Sequence, residues 1–371
     1  MKLNNNHKTF LKLLSAGLWE QTDANLDLDL NDKVDWEEVY QLAEEQSVVG
    51  LVLAGIEHSN VKLPQELLLQ WIGEVQIIEQ QNKAMNKFIA ELIEKMRNAD
   101  IYTLLVKGQG IAQCYERPLW RAAGDVDLLL SCDNYQTAIP LLSKMASHID
   151  DEHHDTLHKA FVMDNMEVEL HGTLRSNLGR RIDKVIDEVQ KDVFCGGNVR
   201  SWMNGSTRVF IPRADEDVVF VFSHILQHFF NGGIGLRQVC DWCRLLWTYK
   251  DSLDNGMLES RIKKAGLITE WKTFASLVID VLGMPEKAMP LYSKSSKWKR
   301  KADLVLNFIL DTGNMGHNRD VSYRDNTSPA KRKLITLYRV SQDSFRHLLI
   351  FPLDAFRAWR RIMFKGVKDS I

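Results

Sequence analysis

The amino-acid sequence predicts an α+β protein, with a small sheet-bearing core over residues 99–200 between a helical region at 1–98 and a second helical region at 201–371 that ends in a basic tail. Three observations carry that prediction. Apolar residues recur at helical spacing before Asn98 and again after residue 215. Between them, short runs rich in β-formers are broken by turn residues. The junctions coincide with changes in periodicity rather than with a low-complexity linker.

The helical reading starts at Thr9. WEEVYQLAEEQSVVGLVLAGI (36–56) places apolar residues on one face and acids on the other. Pro64 opens a longer run, QELLLQWIGEVQIIEQQNKAMNKFIAELIEKMRNAD, which predicts a long packing helix ending near Asn98. IYTLLV (101–106) is a short apolar strand, followed by KGQG and by IAQCYERP, one or two helical turns ended by Pro118. VDLLL (126–130) is a second strand, and 134–147 is helical. In FVMDNMEVELHG (161–172) Asp164-Asn165 separates two runs as a hairpin turn would, and MEVELH alternates as a strand does. About four strands and two helices are therefore expected over 101–172. DEDVVFVFSHILQHFF, the break NGGIG and LRQVCDWCRLLWTYK return the chain to helix, with further breaks at 283–290 and at DTGNMGHNRD (311–320).

Composition excludes several function classes. Among 371 residues 45% are hydrophobic and 26% charged, the balance of an ordinary globular protein, and the formal net charge of −2 announces neither nucleic acid nor membrane. MKLNNNHKTFLKLL is too polar for a signal peptide. No apolar run reaches the length of a spanning helix. Five scattered cysteines (114, 132, 195, 240 and 243) do not read as a disulfide framework, so a reduced, cytoplasmic protein is expected.

The chemistry concentrates in KGQGIAQCYERPLWRAAGDVDLLL (107–130). Asp125 and Asp127, two apart on a strand, point to one face and repel unless a cation lies between them. Hard oxygen ligands suit Mg²⁺, which completes its shell with water and substrate phosphate. Glu169 is a third carboxylate if MEVELH lies beside VDLLL, and three carboxylates can hold two metals roughly 3.5–4 Å apart for phosphoryl transfer. The alternative is a solvated strand start. Lys107-Gly108 sits between a strand and a short helix, where glycine admits close backbone approach, helix amides favour an anion, and lysine adds a point charge suited to phosphate. It is neither the G-x-x-x-x-G-K loop nor G-x-G-x-x-G.

Lys107, Gly108, Ala112, Tyr115, Pro118, Arg121, Asp125 and Asp127 together resemble the motif of the uncharacterised nucleotidyltransferase family, within the DNA polymerase beta-like superfamily. VELH (168–171) looks like its V-x-(E/D)-(L/I)-H element, and SHILQHFFNGGIGLRQVCDW resembles its downstream helix pair. The resemblance covers roughly 35–320 and is sharpest over 107–127. It implies a mixed-sheet nucleotidyltransferase core and an Mg²⁺- or Mn²⁺-dependent transfer of NMP from an NTP to a hydroxyl, most readily of a small or sugar-like molecule. Asp125, Asp127 and Glu169 would be the catalytic metal ligands, with Glu169 acting as base or only as ligand. Lys107, Gly108 and Arg121 would bind nucleotide, Arg121 otherwise being a salt bridge that holds the loop. The superfamily's usual Gly-Ser pair is Lys-Gly here. The competing readings are a non-catalytic nucleotide- or anion-binding module, or a transferase acting on protein or RNA.

Other signals have blander explanations. His224 and His228 have the i, i+4 spacing of a zinc pair, but no glutamate follows the first as in H-E-x-x-H, and helical histidines commonly face a core or, here, Asp241. His228, Arg237 and Asp241 are acceptor-side candidates. His171 is another, though expected on the sheet face opposite Glu169. Cys240-x-x-Cys243 reads as core packing, and His153, His154 and His158 as a surface loop. The segment 331–368 carries ten Lys or Arg against two Asp. Its stretch LDAFRAWRRIMFKGVK gathers Phe356, Trp359 and Met363 near one face, with Arg357, Arg360, Arg361 and Lys365 elsewhere. Contact with nucleic acid or an anionic membrane surface is one use; covering the domain with the aromatic face is the favoured one.

Overall fold

The structure, a computed structural model, describes residues 3–20, 34–150, 157–319 and 328–368. His153, His154, Asp320 and the 21–33 part of the N-terminal helical region lie outside these residues.

Helices α1 (Asn5–Trp19), α2 (Trp36–Glu45) and α3 (Val49–Glu57) form the N-terminal layer. A Cβ on Gly17 would lie 1.8 Å from the Leu51 carbonyl oxygen and one on Gly55 1.9 Å from that of Leu13, so α1 and α3 cross at a distance only glycine permits. Pro64 precedes α4 (Gln65–Arg97), which at 33 residues is about 50 Å long. Its first half buries Leu67, Trp71, Val75 and Ile78 among helices; its second half buries Phe88, Ile89, Leu92 and Met96 against the sheet.

The sheet is built from β1 (Leu104–Val106), β2 (Val126–Leu129), β3 (His148–Ile149), β4 (His158–Met163) and β5 (Met166–His171), in the order β1-β2-β5-β4-β3. β2 and β5 run parallel and the other neighbours antiparallel, so the sheet is mixed. The β4–β5 turn is Asp164-Asn165, both at positive φ, as a two-residue hairpin requires. Between strands lie α5 (Gly108–Ala112) and α6 (Cys132–Ser143). α5 is a single turn, and Pro118 opens a separate 3-10 turn (Pro118–Trp120) instead of ending that helix. The two-residue strand β3 brings the sheet to five strands where about four were expected.

Beyond the sheet come α7 (Arg180–Gly196) and a hairpin of β6 (Val199–Asn204) and β7 (Thr207–Pro212), which packs on β1 and α4. The hairpin, not among the expected strands, has its own sequence signal: alternating residues around Asn204-Gly205, with Gly205 at φ +61°. The C-terminal helices are α8 (Ala214–Asn231), α9 (Leu236–Tyr249), α10 (Asn255–Lys264), α11 (Ile268–Asp280), α12 (Ser296–Thr312), α13 (Pro329–Ile350) and α14 (Pro352–Lys368). Cys240 and Cys243 are fully buried in α9's apolar packing. The aromatics of α14 are divided: Trp359 is half-buried with its Nε1 toward Ser341 Oγ of α13, whereas Phe356 is 52% exposed and Ala355 and Ala358 are the buried residues. No helix among the described residues is long and apolar enough to cross a membrane.

Strand alternation gives the sheet two unlike faces. Leu105, Val126, Leu128, Val168 and Leu170 point into one apolar core with α4 and α6. The intervening residues Asp127, Glu169 and His171 point the other way, toward α8 and α9.

Candidate functional site

On that second face Asp127 of β2 is directly opposite Glu169 of β5, and Val106 of β1 is opposite Asp127 on the other side. The carboxylates meet because parallel pairing puts two odd-numbered positions side by side on one face. Asp127 is 5% exposed. Asp125 precedes β2 at the mouth of a cavity of about 450 Å³, into which Lys107, Asp127, Glu169, His171 and His228 also face.

Lys107 has left the strand conformation: its φ of +60° and ψ of −153° are costly for a residue with a Cβ, on the order of 1–3 kcal/mol. This backbone aims its ammonium inward, 2.8 Å from Asp127 Oδ1 and 3.5 Å from His224 Nε2. Gly108 follows at φ +46°, where a Cβ would be 3.2 Å from the Asp125 carbonyl oxygen. Glycine therefore lets the 107–108 turn close on the Asp125 backbone. α5 offers only one turn behind it, a weaker anion seat than a full helix.

The histidines depart from expectation. His171 shares a face with Glu169, as residues two apart on a strand must, and not the opposite one. Its Nε2 lies 2.9 Å from Asp127 Oδ1 and 3.3 Å from Glu169 Oε2. His158 is not on a surface loop: it opens β4, directly across from His171, and its Nε2 lies 3.2 Å from the same Glu169 oxygen. Nothing in the sequence around His158 marks it; its place follows from the hairpin register. His224 and His228 face each other, Nε2 to Nε2 at 2.9 Å, near Lys107 and not Asp241.

Charge crowding shows in the proton affinities. Burial, then the charges of Asp127 and Glu169, raise the Asp125 carboxyl above its ordinary value. Glu167, beside them, is raised for the same reasons. Burial would raise Glu169 too, but hydrogen bonds from His158 and His171 outweigh it and hold Glu169 ionised. Burial works to lower His171, and the bonds to Asp127 and Glu169 reverse that. Burial and the Lys107 charge push His228 down to about 4, and lower His224 strongly, so both are neutral.

A second polar cluster holds the loop that delivers Asp125. Arg121 donates from Nε and Nη2 to the two oxygens of Asp241, each at 2.7 Å, and Tyr115 OH donates to Asp241 Oδ1 at 2.7 Å. Of the two readings for Arg121, the geometry is that of the loop-holding salt bridge; Arg121 and Asp241 are each 5% exposed. Arg237 Nη1 donates to the carbonyls of Ala122 (3.2 Å) and Ala123 (2.8 Å) and packs on Gly124. Burial, then the nearby Arg121, lowers the Arg237 guanidinium's proton affinity. Buried Asn82 of α4 donates to the carbonyls of Leu119 (2.8 Å) and Arg121 (2.7 Å). A lone asparagine on an apolar helix stripe was the sequence signal for that clamp.

The oxygens of Asp125, Asp127 and Glu169 are hard donors of the kind a divalent cation takes, and burial, then the neighbouring carboxylates, raises the Asp125 and Glu167 affinities. Among the described residues, the group whose ligand atoms all lie within 4.8 Å of one another is His158, Glu169 and His171.

Residues 32–279 match the model of a protein family described as "Uncharacterised nucleotidyltransferase". No curated protein and no solved structure matches the chain.

Proposed function

The chain belongs to the uncharacterised nucleotidyltransferase family, and we propose that it transfers NMP from an NTP to the hydroxyl of a small, sugar-like acceptor. The observation that carries this reading is the in-register pair Asp127–Glu169, with Asp125 at the mouth of the same cavity and Lys107 reaching into it. A space of about 450 Å³ is in the range of small-molecule sites and favours a compact acceptor over a polymer.

Asp125, Asp127 and Glu169 would hold Mg²⁺ or Mn²⁺; when bound, the ion neutralises triphosphate charge and polarises the α-phosphoryl group. The chain's own part is positioning. Lys107 offers a cation to the phosphates, and Gly108 lets them approach the backbone. Arg121, Asp241 and Arg237 fix the 121–125 loop, so that Asp125 faces the cavity. The acceptor oxygen bonds to the α-phosphorus while the bond from that phosphorus to the bridging oxygen breaks. Pyrophosphate leaves with those electrons, and the hydroxyl proton passes to solvent, while Glu169, kept ionised by His158 and His171, serves as ligand rather than base.

A second reading draws on the Lys107–Asp127 ion pair, because an ammonium already seated on a ligand carboxylate suits a non-catalytic anion-binding module. Thermal melts with each NTP, with and without Mg²⁺, separate the two. The transfer reading expects metal-dependent stabilisation that Asp125→Ala and Glu169→Ala remove. Stabilisation that needs no metal and survives both substitutions would favour the binding module.

A further inference from the structure

We infer that His158, Glu169 and His171 form a nitrogen-bearing cation site that takes a Zn²⁺-class ion in preference to Mg²⁺, with Glu169 shared between it and the carboxylates Asp125 and Asp127. For its catalytic role this rests on the transfer reading; the binding itself does not.

The geometry is that of a ligand shell drawn in on itself. The Nε2 atoms of His158 and His171 lie 3.2 Å and 3.3 Å from one Glu169 oxygen, and His171 Nε2 lies 2.9 Å from Asp127 Oδ1. A tetrahedral ion with ligands at about 2.1 Å spaces them at about 3.4 Å, so a small expansion admits the ion. The two rings, 5.0 Å apart and inclined by 50°, present their nitrogen edges instead of stacking. All three ligands are held by strands: His158 of β4 is across from His171 of β5, and Glu169 is two residues before His171 on the same face. Such ligands are placed by backbone pairing rather than by a loop.

Ligand chemistry and charge agree. Mg²⁺ prefers an all-oxygen shell, whereas imidazole draws Zn²⁺ and its neighbours. Glu169 and two neutral imidazoles make a three-ligand set that leaves the ion one open position. Lys107 Nζ, 2.8 Å from Asp127 Oδ1, is the positive charge that the ion would replace, leaving the ammonium to turn toward the triphosphate. The pair with the familiar zinc spacing, His224 and His228, meets that ammonium and each other through their ring nitrogens.

The test uses the full chain stripped with a chelator and titrated with Zn²⁺ against a chromophoric competitor, with Mg²⁺ in excess. One Zn²⁺ per chain is expected, undisturbed by Mg²⁺, with affinity falling at least about tenfold in His158→Ala. X-ray absorption on the unsubstituted Zn²⁺-loaded chain should show two imidazoles, which keeps the test valid if the variant misfolds. Displacement by Mg²⁺, unchanged affinity in a folded His158→Ala variant, or fewer than two imidazoles overturns the proposal. Pyrophosphate release with Mg²⁺ is scored separately. Its presence without a zinc site leaves the transfer reading standing, and its absence beside a zinc site removes only that reading.

Discussion

The two faces of the five-stranded sheet are made from the same strands and differ in almost every physical respect. On one, Leu128, Val168 and Leu170 are fully buried in an apolar cluster with α4 and α6. On the other, Asp127 and Glu169 crowd like charges beside a cavity, with Lys107 and the imidazoles of His158 and His171 as compensation. Shifting one residue along a strand crosses from the surface that holds the fold to the surface that stores unfavourable charge. The first supports the second, since a charged cluster persists only where packing over-determines it.

The comparison breaks most visibly where the polar side is itself structural. Asp241→Ala strands the buried Arg121 guanidinium and the Tyr115 hydroxyl, and should cost about 3–5 kcal/mol in urea unfolding. A loss below that would mean the loop is held by Asn82 and Arg237 alone. On the apolar face, Leu170→Ala should cost about 2–5 kcal/mol by the same measurement. It should leave nucleotide-dependent stabilisation intact below the new melting point. Gly108→Ala forces a Cβ into φ +46° and against the Asp125 carbonyl. We expect about 1–2 kcal/mol of destabilisation, together with weakened nucleotide binding.

Asp125→Asn has the smallest effect on stability and the opposite sign. Its folded-state carboxyl is raised, so in chelated protein the wild type loses stability as pH climbs from about 4 through that raised value. The variant escapes this loss, is the more stable protein at pH 7, and converges with wild type below about pH 4. Melting curves across that range check it, and a variant less stable at pH 7 would show that Asp125 is paired and not repelled.

Both faces were partly legible in sequence, for different reasons. The period-two alternation of MEVELH, with Asp125 and Asp127 two apart at the start of VDLLL, located the carboxylates and their common side, because one buried face fixes strand register. The same rule puts His171 with Glu169, so placing it on the opposite face misapplied the alternation. His158 was illegible: it enters the site through a hairpin pairing set by the turn at Asp164-Asn165, and its local sequence carries no pattern. Arg121 could not be resolved from sequence, since Asp241, its partner, lies 120 positions away. The helical regions announced themselves by periodicity, whereas the use of α14's exposed Phe356 did not, because amphipathicity says which side is apolar and not what it meets.

The central claim is that the charged face of the sheet transfers nucleotide. Pyrophosphate release from each NTP with Mg²⁺ or Mn²⁺ and a panel of sugars and small alcohols tests it most directly, comparing wild type with Asp127→Asn. The account predicts metal-dependent release that one acceptor stimulates and the variant loses while remaining folded. Equal release by wild type and a folded Asp127→Asn, or none with any pair of nucleotide and acceptor, would contradict it.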